Sequence, residues 1–476
     1  MKNLSLVLIV ILILSGACSR KKGVAATEGE ELTIFFINDQ HGQIDNFSKI
    51  AHIVKAEEQS TSVIVACSGD MFSGNPVVDN YPEKGYPMID LMNRAGFDVA
   101  VLGNHEYDYG DSILADRMNQ SEFTWVCANV DMEDTEVPEP HEYTTLSVDG
   151  LKITFLGLVE TNGKENATIP STHPWRVQNF TFQRAETVVS HYANVKEQED
   201  SDLYIALSHL GHNGYGGSLG DFQLAHQFPY FDLIIGGHSH SEIDTTVNDI
   251  PIYQAISSLN YLGKIELTLN DKKIQSLDYE LIDLSQYQEQ DDEIASLVNQ
   301  YNDAPHLKEV IGYSNTLHSQ GQVGCFYTDA LRSVMNTDLT FQNTGGVRSG
   351  LDEGDIITGE ILKIAPFNNR TVIYNMSVSE INSFLKGTGS GFYYSGLHIE
   401  QVGDEIHLLD EQDHILSAET VLTVGINDYI PAVHASYFPD KGAMQNMTAA
   451  ETMIYYLENI NSEVEYEDCD RYFRFQ

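Results

Sequence analysis

Basic residues are scarce in this chain. Lysine and arginine together number 26 against 70 aspartates and glutamates, a formal net charge of −44 over 476 residues. So acidic a surface repels phosphate backbones and anionic lipid, which excludes broad electrostatic binding to a nucleic-acid polymer. It leaves room for a small phosphorylated substrate, because a cation or a few local arginines suffice to hold one phosphate. Cysteine is also sparse. The five cysteines show no CxxC pair and no metal-knuckle spacing, which excludes a zinc ribbon or a dithiol redox motif. Cys67 and Cys127 fall in apolar, strand-like runs and are expected to be buried, inert thiols. One disulfide is compatible with an oxidising compartment, and the sequence does not say which cysteines would form it.

Long apolar runs are nearly absent as well. Leu4 to Leu14 is the exception, and it is too short to span a bilayer comfortably. Lys2 precedes it and Ser15-Gly16-Ala17-Cys18 follows, so residues 1–18 read as a secretion signal. A cysteine directly after small residues resembles a bacterial lipobox, with Cys18 as the lipidated first residue of the mature chain. Leu14 sits one place further upstream than is usual for that motif. The expectation is an exported, membrane-anchored lipoprotein, periplasmic or on the cell surface. Residues 19–30 are small and polar and read as a tether.

From residue 31 to about 285, short runs rich in Ile, Val and Phe alternate with helix-like segments, which points to one α/β domain. Several runs end in His, Asp or Asn, where α/β folds collect ligand-binding loops. Residues 286–312 contain a linker helix: Asp291-Asp292 can cap it, Ile294, Leu297, Val298 and Tyr301 follow helical spacing, and Pro305 ends it. Residues 313–476 again mix strands and helices and form a second α/β domain.

Five short stretches carry the chemistry: Asn38-Asp39-Gln40-His41-Gly42, Gly69-Asp70, Gly103-Asn104-His105-Glu106-Tyr107-Asp108, Ser208-His209 and Gly236-Gly237-His238-Ser239-His240. Each follows an apolar run, and each offers oxygen or imidazole ligands suited to Zn, Mn, Mg, Fe or Co. A lone Asp-x-His is most often a capped turn; the five together, in this order, are not explained that way.

On these motifs the chain resembles the calcineurin-like metallophosphoesterases, and more closely their 5′-nucleotidase and UDP-sugar hydrolase branch. The resemblance implies a four-layer β-sandwich flanked by helices, with two divalent ions. Asp39, His41 and His240 would hold the first ion, Asn104, His209 and His238 the second, and Asp70 would bridge them. It makes His105 and Asp108 the catalytic pair. An imidazole free of metal can protonate a leaving alkoxide, and a carboxylate three residues on can orient it. Water is the implied nucleophile, with no covalent phospho-enzyme. Glu106 is expected to make a local structural hydrogen bond, and His212 to be a loop residue near the site.

The second half carries Asn343-Thr344-Gly345-Gly346-Val347-Arg348 and Ala365-Pro366-Phe367-Asn368-Asn369, which resemble the 5′-nucleotidase C-terminal domain. There Asn343 and Arg348 would contact substrate, while Phe367 and Tyr429 would sandwich a nucleobase. Two stretches depart from the family. Val433-His434-Ala435-Ser436 replaces a glycine-rich run carrying a ribose-binding Asp. Leu317-His318 stands where another phosphate-binding Arg is usual. The implied activity is hydrolysis of nucleotide phosphate esters outside the cytoplasm. The substrate-site departures leave a 2′,3′-cyclic nucleotide phosphodiesterase, a nucleotide-sugar hydrolase or a sugar-phosphate phosphatase as alternatives on the same metals. A non-catalytic binding lipoprotein is disfavoured by the intact ligand set. The family's interdomain rotation implies a hinge between about Ser285 and Gly312. Oligomeric state cannot be read.

Overall fold

The computed structural model describes residues 29–161, 163, 168–169, 172–214, 217–439 and 441–476. Cys18 and the tether up to residue 28 lie outside the described residues.

Two six-stranded sheets stack face to face in the first half. One runs Lys273–Asp283, Tyr261–Asn270, Glu30–Ile37, Ser62–Cys67, Val99–Val101, Thr124–Val126; the other runs Glu242–Val247, Ile250–Ala255, Leu233–Ile235, Leu203–His209, Leu151–Val159, Tyr143–Val148. The period-two geometry of a strand decides what each face buries. In Glu30–Ile37, Leu32, Ile34 and Phe36 enter the core between the sheets. Phe35 and Ile37 point the other way, into a core made with the helices Phe47–Glu57, Tyr86–Ala95 and Asp111–Gln120. The outer face of the second sheet packs Tyr204 and Ile234 against the helix Asp221–Gln227. The result is four layers, helix–sheet–sheet–helix. The central strands of both sheets are parallel, so their C-terminal ends emerge on one side.

The helix Asp292–Tyr301 forms as its spacing predicts, with Asp291 accepting the Ile294 amide at 3.0 Å as its cap. It is not a free-standing rod. Ile294, Val298 and Tyr301 sit in the first domain's helical core, and Lys55 pairs with Asp291. A 3-10 turn, Pro305–Leu307, follows it.

The second half is built on a sheet ordered Ala443–Thr448, Arg370–Ser377, Val421–Asn427, Leu339–Asn343, Phe392–Ser395, Tyr472–Phe473. Phe341, Val424 and Ile426 pack with Ile381 and Phe384 of the helix Val378–Thr388. The helices Gln320–Met335 and Ala449–Asn459 form another core through Phe326, Leu331, Met453 and Leu457. The C-terminal segment ties this half together. Glu463–Val464 pairs with Val310–Ser314, Tyr472–Phe473 pairs with Phe392–Ser395, and Cys469 is disulfide-bonded to Cys325. Cys67 and Cys127 remain free and buried; burial raises both thiols, Cys127 to about 12.

Candidate metal centre and active site

The five stretches converge where the strands end. Asp39 and His41 follow Glu30–Ile37, Asp70 follows Ser62–Cys67, and Asn104 and His105 follow Val99–Val101. His209 closes Leu203–His209, and His238 and His240 follow Leu233–Ile235. Sharp turns aim these side chains at each other. Asp39, His41, Asp70, His238 and His240 all have φ between 49° and 74°, a left-handed backbone that non-glycine residues rarely adopt and that clusters at functional sites. Gly103 cannot be enlarged: a Cβ there would lie 2.3 Å from Asp70 Oδ1.

Two ligand groups result. Asp39, His41, Asp70 and His240 converge within 4.8 Å, as do Asp70, His209 and His238, with Asp70 common to both. His41 Nε2 lies 2.9 Å from His240 Nε2, and His240 Nε2 lies 3.3 Å from Asp39 Oδ1. Asn104 Oδ1 is 3.1 Å from His238 Nδ1. His209 donates Nδ1–H to the Ser68 carbonyl at 2.6 Å. That fixes its tautomer and leaves the Nε2 lone pair, which has no hydrogen-bond partner, 3.2 Å from Asp70 Oδ2. Convergent imidazole nitrogens around shared carboxylates, with an orphaned ring nitrogen, fit a pair of divalent cations.

For two of the histidines the electrostatics favour ligation. Burial, then the nearby His105, hold His41 down at about 3; burial and His209 hold His238 down at about 4. Both are neutral and able to ligate. Burial opposes charge on His209, yet Asp70 outweighs it and lifts His209 to about 10, so a cation there would have to displace the Nε2 proton. Asp39 and Asp70 stay ionised: burial opposes this, but hydrogen bonding to His240 lowers Asp39 and the charge on His209 lowers Asp70.

Supporting residues fix these ligands. Asn38 accepts the Ala255 amide at 2.7 Å and donates to Asp39 at 2.7 Å. Glu106 gathers the backbone amides of Asp70, Met71 and Gly103 at 2.9, 2.6 and 2.5 Å, the structural role its sequence context suggests. Glu160, at the end of Leu151–Val159, was not singled out by any motif. It is fully buried, neither oxygen has a hydrogen-bond partner, and it lies 3.9 Å from His238 Nε2. Burial pushes its carboxyl well above the usual range.

His105 stands beside the metal groups. Its Nδ1–H donates to Asp108 Oδ2 at 2.6 Å, leaving Nε2 for chemistry. Burial opposes its protonation, but Asp70 and Asp108 raise it overall. Burial opposes ionisation of Asp108, while His105 lowers it overall. Asp108 Oδ1 also accepts from Thr172 at 2.9 Å and Arg176 at 3.2 Å. These two residues, with His173, lie on a loop that no local pattern marks as functional.

A cavity of about 210 Å³ joins the halves. The structure brings Asn343, Arg348, Phe367 and Tyr429 from the second half to it, opposite Asp70, Asn104, His105 and Asp108. The Phe367 ring stacks on His105 at 5.6 Å and 11°, and the Arg348 guanidinium also lies over the Phe367 ring, 5.6 Å from its centroid. The departures fall away from this cavity. Leu317 is 65% exposed, and His318 is buried between Ser314 and the Tyr466 amide. Gln322 completes a capping box with Ser319. His212 packs on Phe222.

Comparison with known proteins gives the class. Residues 32–242 match the family model of calcineurin-like phosphoesterases, so the first half carries a domain of that kind. Residues 304–437 match the model of the 5′-nucleotidase C-terminal domain, and the chain joins the two domains in this order. The "Trifunctional nucleotide phosphoesterase protein YfkN" of Bacillus subtilis is 27% identical over 75% of this chain. The chain spans 27% of that relative's length and 41% of another, "Endonuclease YhcR". "Protein UshA" of Yersinia enterocolitica is 24% identical, with 79% of this chain and 80% of that protein covered. The fold matches the crystal structure of a 5′-nucleotidase precursor from Thermus thermophilus at a TM-score of 0.80, with 19% identity and coverage of 93% and 98%. It also matches a Thermus thermophilus sulfate thiohydrolase, SoxB, at 0.76, with 13% identity and coverage of 93% and 96%. The fold therefore serves more than one reaction.

Proposed function

We propose that this protein hydrolyses phosphate monoesters of nucleotides, releasing nucleoside and inorganic phosphate. The observation that carries this reading is the shared cavity: His105–Asp108 and both ligand groups on one wall, Asn343, Arg348, Phe367 and Tyr429 on the other. Asp39, His41, Asp70 and His240 would hold one divalent ion; Asp70, Asn104, His209 and His238 would hold the second. The ions supply Lewis acidity toward the phosphoryl group and toward water. Arg348 offers a forked, permanent charge for phosphoryl oxygens, and Asn343 supplies a polar contact beside it. Phe367 and Tyr429 offer aromatic faces to a base. His105, whose protonation is favoured by Asp70 and Asp108 against the effect of burial, gives its Nε2 proton to the leaving alkoxide, and Asp108 holds the ring in place.

A second reading, hydrolysis of cyclic nucleotides, nucleotide sugars or sugar phosphates, draws on one observation. Asp70 and Asp108 are the acidic side chains lining the cavity among the described residues, and both are already engaged, so none is left to bind ribose hydroxyls. A panel of nucleoside monophosphates, 2′,3′-cyclic nucleotides, nucleotide sugars and sugar phosphates separates the readings. Metal-reconstituted enzyme is expected to release phosphate fastest from the monophosphates. No release from any of them sinks both readings.

The same reading places the protein outside the cytoplasm, anchored through Cys18. The Cys325–Cys469 disulfide supports an oxidising compartment. Among the described residues no helix is long and apolar enough to cross a membrane. Cys18→Ser is expected to move the protein from the membrane fraction to the soluble fraction, and unchanged fractionation refutes the anchor.

A further inference from the structure

Arg176 bridges the two halves of the molecule. It is 6% exposed and closes the 3-10 turn Pro174–Arg176 in the metal-binding half. One arm of the guanidinium, Nη1, donates to Asp108 Oδ1 at 3.2 Å. The other arm, Nη2, donates across the cavity to the Phe367 carbonyl at 2.5 Å. Nε has no partner. His173, three residues earlier, reinforces the crossing, lying 3.8 Å from Asp428 and edge-on to Tyr429 at 6.2 Å.

The carboxylate that orients His105 is thus held by three donors. Two of them, His105 and Thr172, belong to its own half. The third is engaged by the other half. Among the described residues, the arginines lining the cavity are Arg348 and Arg176, one from each half. Leu317 and His318 lie away from the cavity, and Arg176 reaches it from the metal-binding half.

We propose that Arg176 is an interdomain latch and a positioning residue. It ties the backbone of the base-stacking segment to Asp108, so that His105 is correctly held only when the two halves are closed on each other. A buried guanidinium makes strong, directional hydrogen bonds to carboxylate and carbonyl, and its planar fork lets one residue serve both at once. Separating the halves removes the carbonyl contact and leaves Asp108 gripped by a freer arginine. Lysine has a single ammonium and cannot reproduce both arms. The kinetic part of this inference rests on the nucleotidase reading; the conformational part does not.

The test uses the metal-loaded full-length protein and three variants, Arg176→Met, Arg176→Lys and Asp108→Asn. Arg176→Met is expected to lower kcat on a nucleoside monophosphate roughly 10- to 100-fold, the loss of a charge-assisted contact, with KM changed less and metal content unchanged. Arg176→Lys is expected to fall between. In the Asp108→Asn background, Arg176→Met is expected to change kcat little, because the two residues act as one unit. Additive losses in that cycle would overturn the positioning role. Small-angle X-ray scattering reads closure directly and needs no turnover. Arg176→Met is expected to raise the radius of gyration relative to the parent, and an unchanged value overturns the latch even if no substrate is ever cleaved.

Discussion

Strain and burial meet at single residues of the metal centre. Five ligand-type residues hold a left-handed backbone, each at a cost on the order of 1 kcal/mol. Cations recover that cost by binding only the folded arrangement. Stripping them with a chelator is therefore expected to abolish phosphate release and lower Tm, with Mn or Zn restoring both; a Tm insensitive to metal contradicts the assignment. His105→Ala is expected to reduce kcat about 10²- to 10⁴-fold while metal content, measured by elemental analysis, stays at the parent level. Glu160→Gln probes a subtler contact. Its carboxyl group faces His238 Nε2, so the variant is expected to lose about 10- to 100-fold in metal affinity, and unchanged affinity in a titration removes Glu160 from the metal centre. Asp98 gives a pH signature remote from the site. Burial raises it to about 6, although the Val65 amide donates to it. A carboxyl raised on folding favours the folded state at low pH. Its contribution is full below about pH 4 and is lost as pH rises through about 6. Asp98→Asn is expected to flatten the stability change between pH 4 and 7, by on the order of 2 kcal/mol, in urea titrations at each pH.

Legibility at the level of elements followed locality. The strands of the first half, and the candidate ligands at their ends, are legible in the sequence because each candidate follows a short apolar run within its own motif. Asp39 after Glu30–Ile37 and His238 after Leu233–Ile235 are such cases. Glu160 occupies the same kind of strand-end position, so the signal was present, but no neighbouring ligand residues framed it. Thr172 and Arg176 carried no signal. Their partners, Asp108 and Phe367, lie 64 to 191 residues away in sequence, and a lone arginine in an irregular loop resembles any surface arginine. The helix Asp292–Tyr301 was found by its period, but periodicity does not say which half receives its stripe. Packing gives it to the first. The Cys325–Cys469 link joins residues 144 apart and likewise left no local trace. Closing so long a loop constrains the unfolded chain, so Cys469→Ser is expected to cost the second half about 2–4 kcal/mol in a denaturant titration. An unchanged midpoint would show that the pair carries no stability.

Across the whole molecule the division of labour is spatial. One half holds the candidate ligand groups and His105–Asp108, the other presents Arg348, Phe367 and Tyr429, and neither wall alone makes the cavity. The Phe367 ring, stacked on His105 and in contact with the Arg348 guanidinium, means that a base and a phosphate entering the cavity must rearrange these contacts. That arrangement makes turnover sensitive to how the halves move as well as to the chemistry at phosphorus.

The strands Glu463–Val464 and Tyr472–Phe473 have a consequence for biosynthesis. The first half has all its strands and its last packed helix by residue 301. The second half waits for its edge strands, and Cys325 waits for Cys469. As the chain emerges N-terminus first, the first half can fold while the second half still lacks these two strands. The wall that the second half gives to the shared cavity is therefore secured only after Glu463–Val464, Cys469 and Tyr472–Phe473 have joined it.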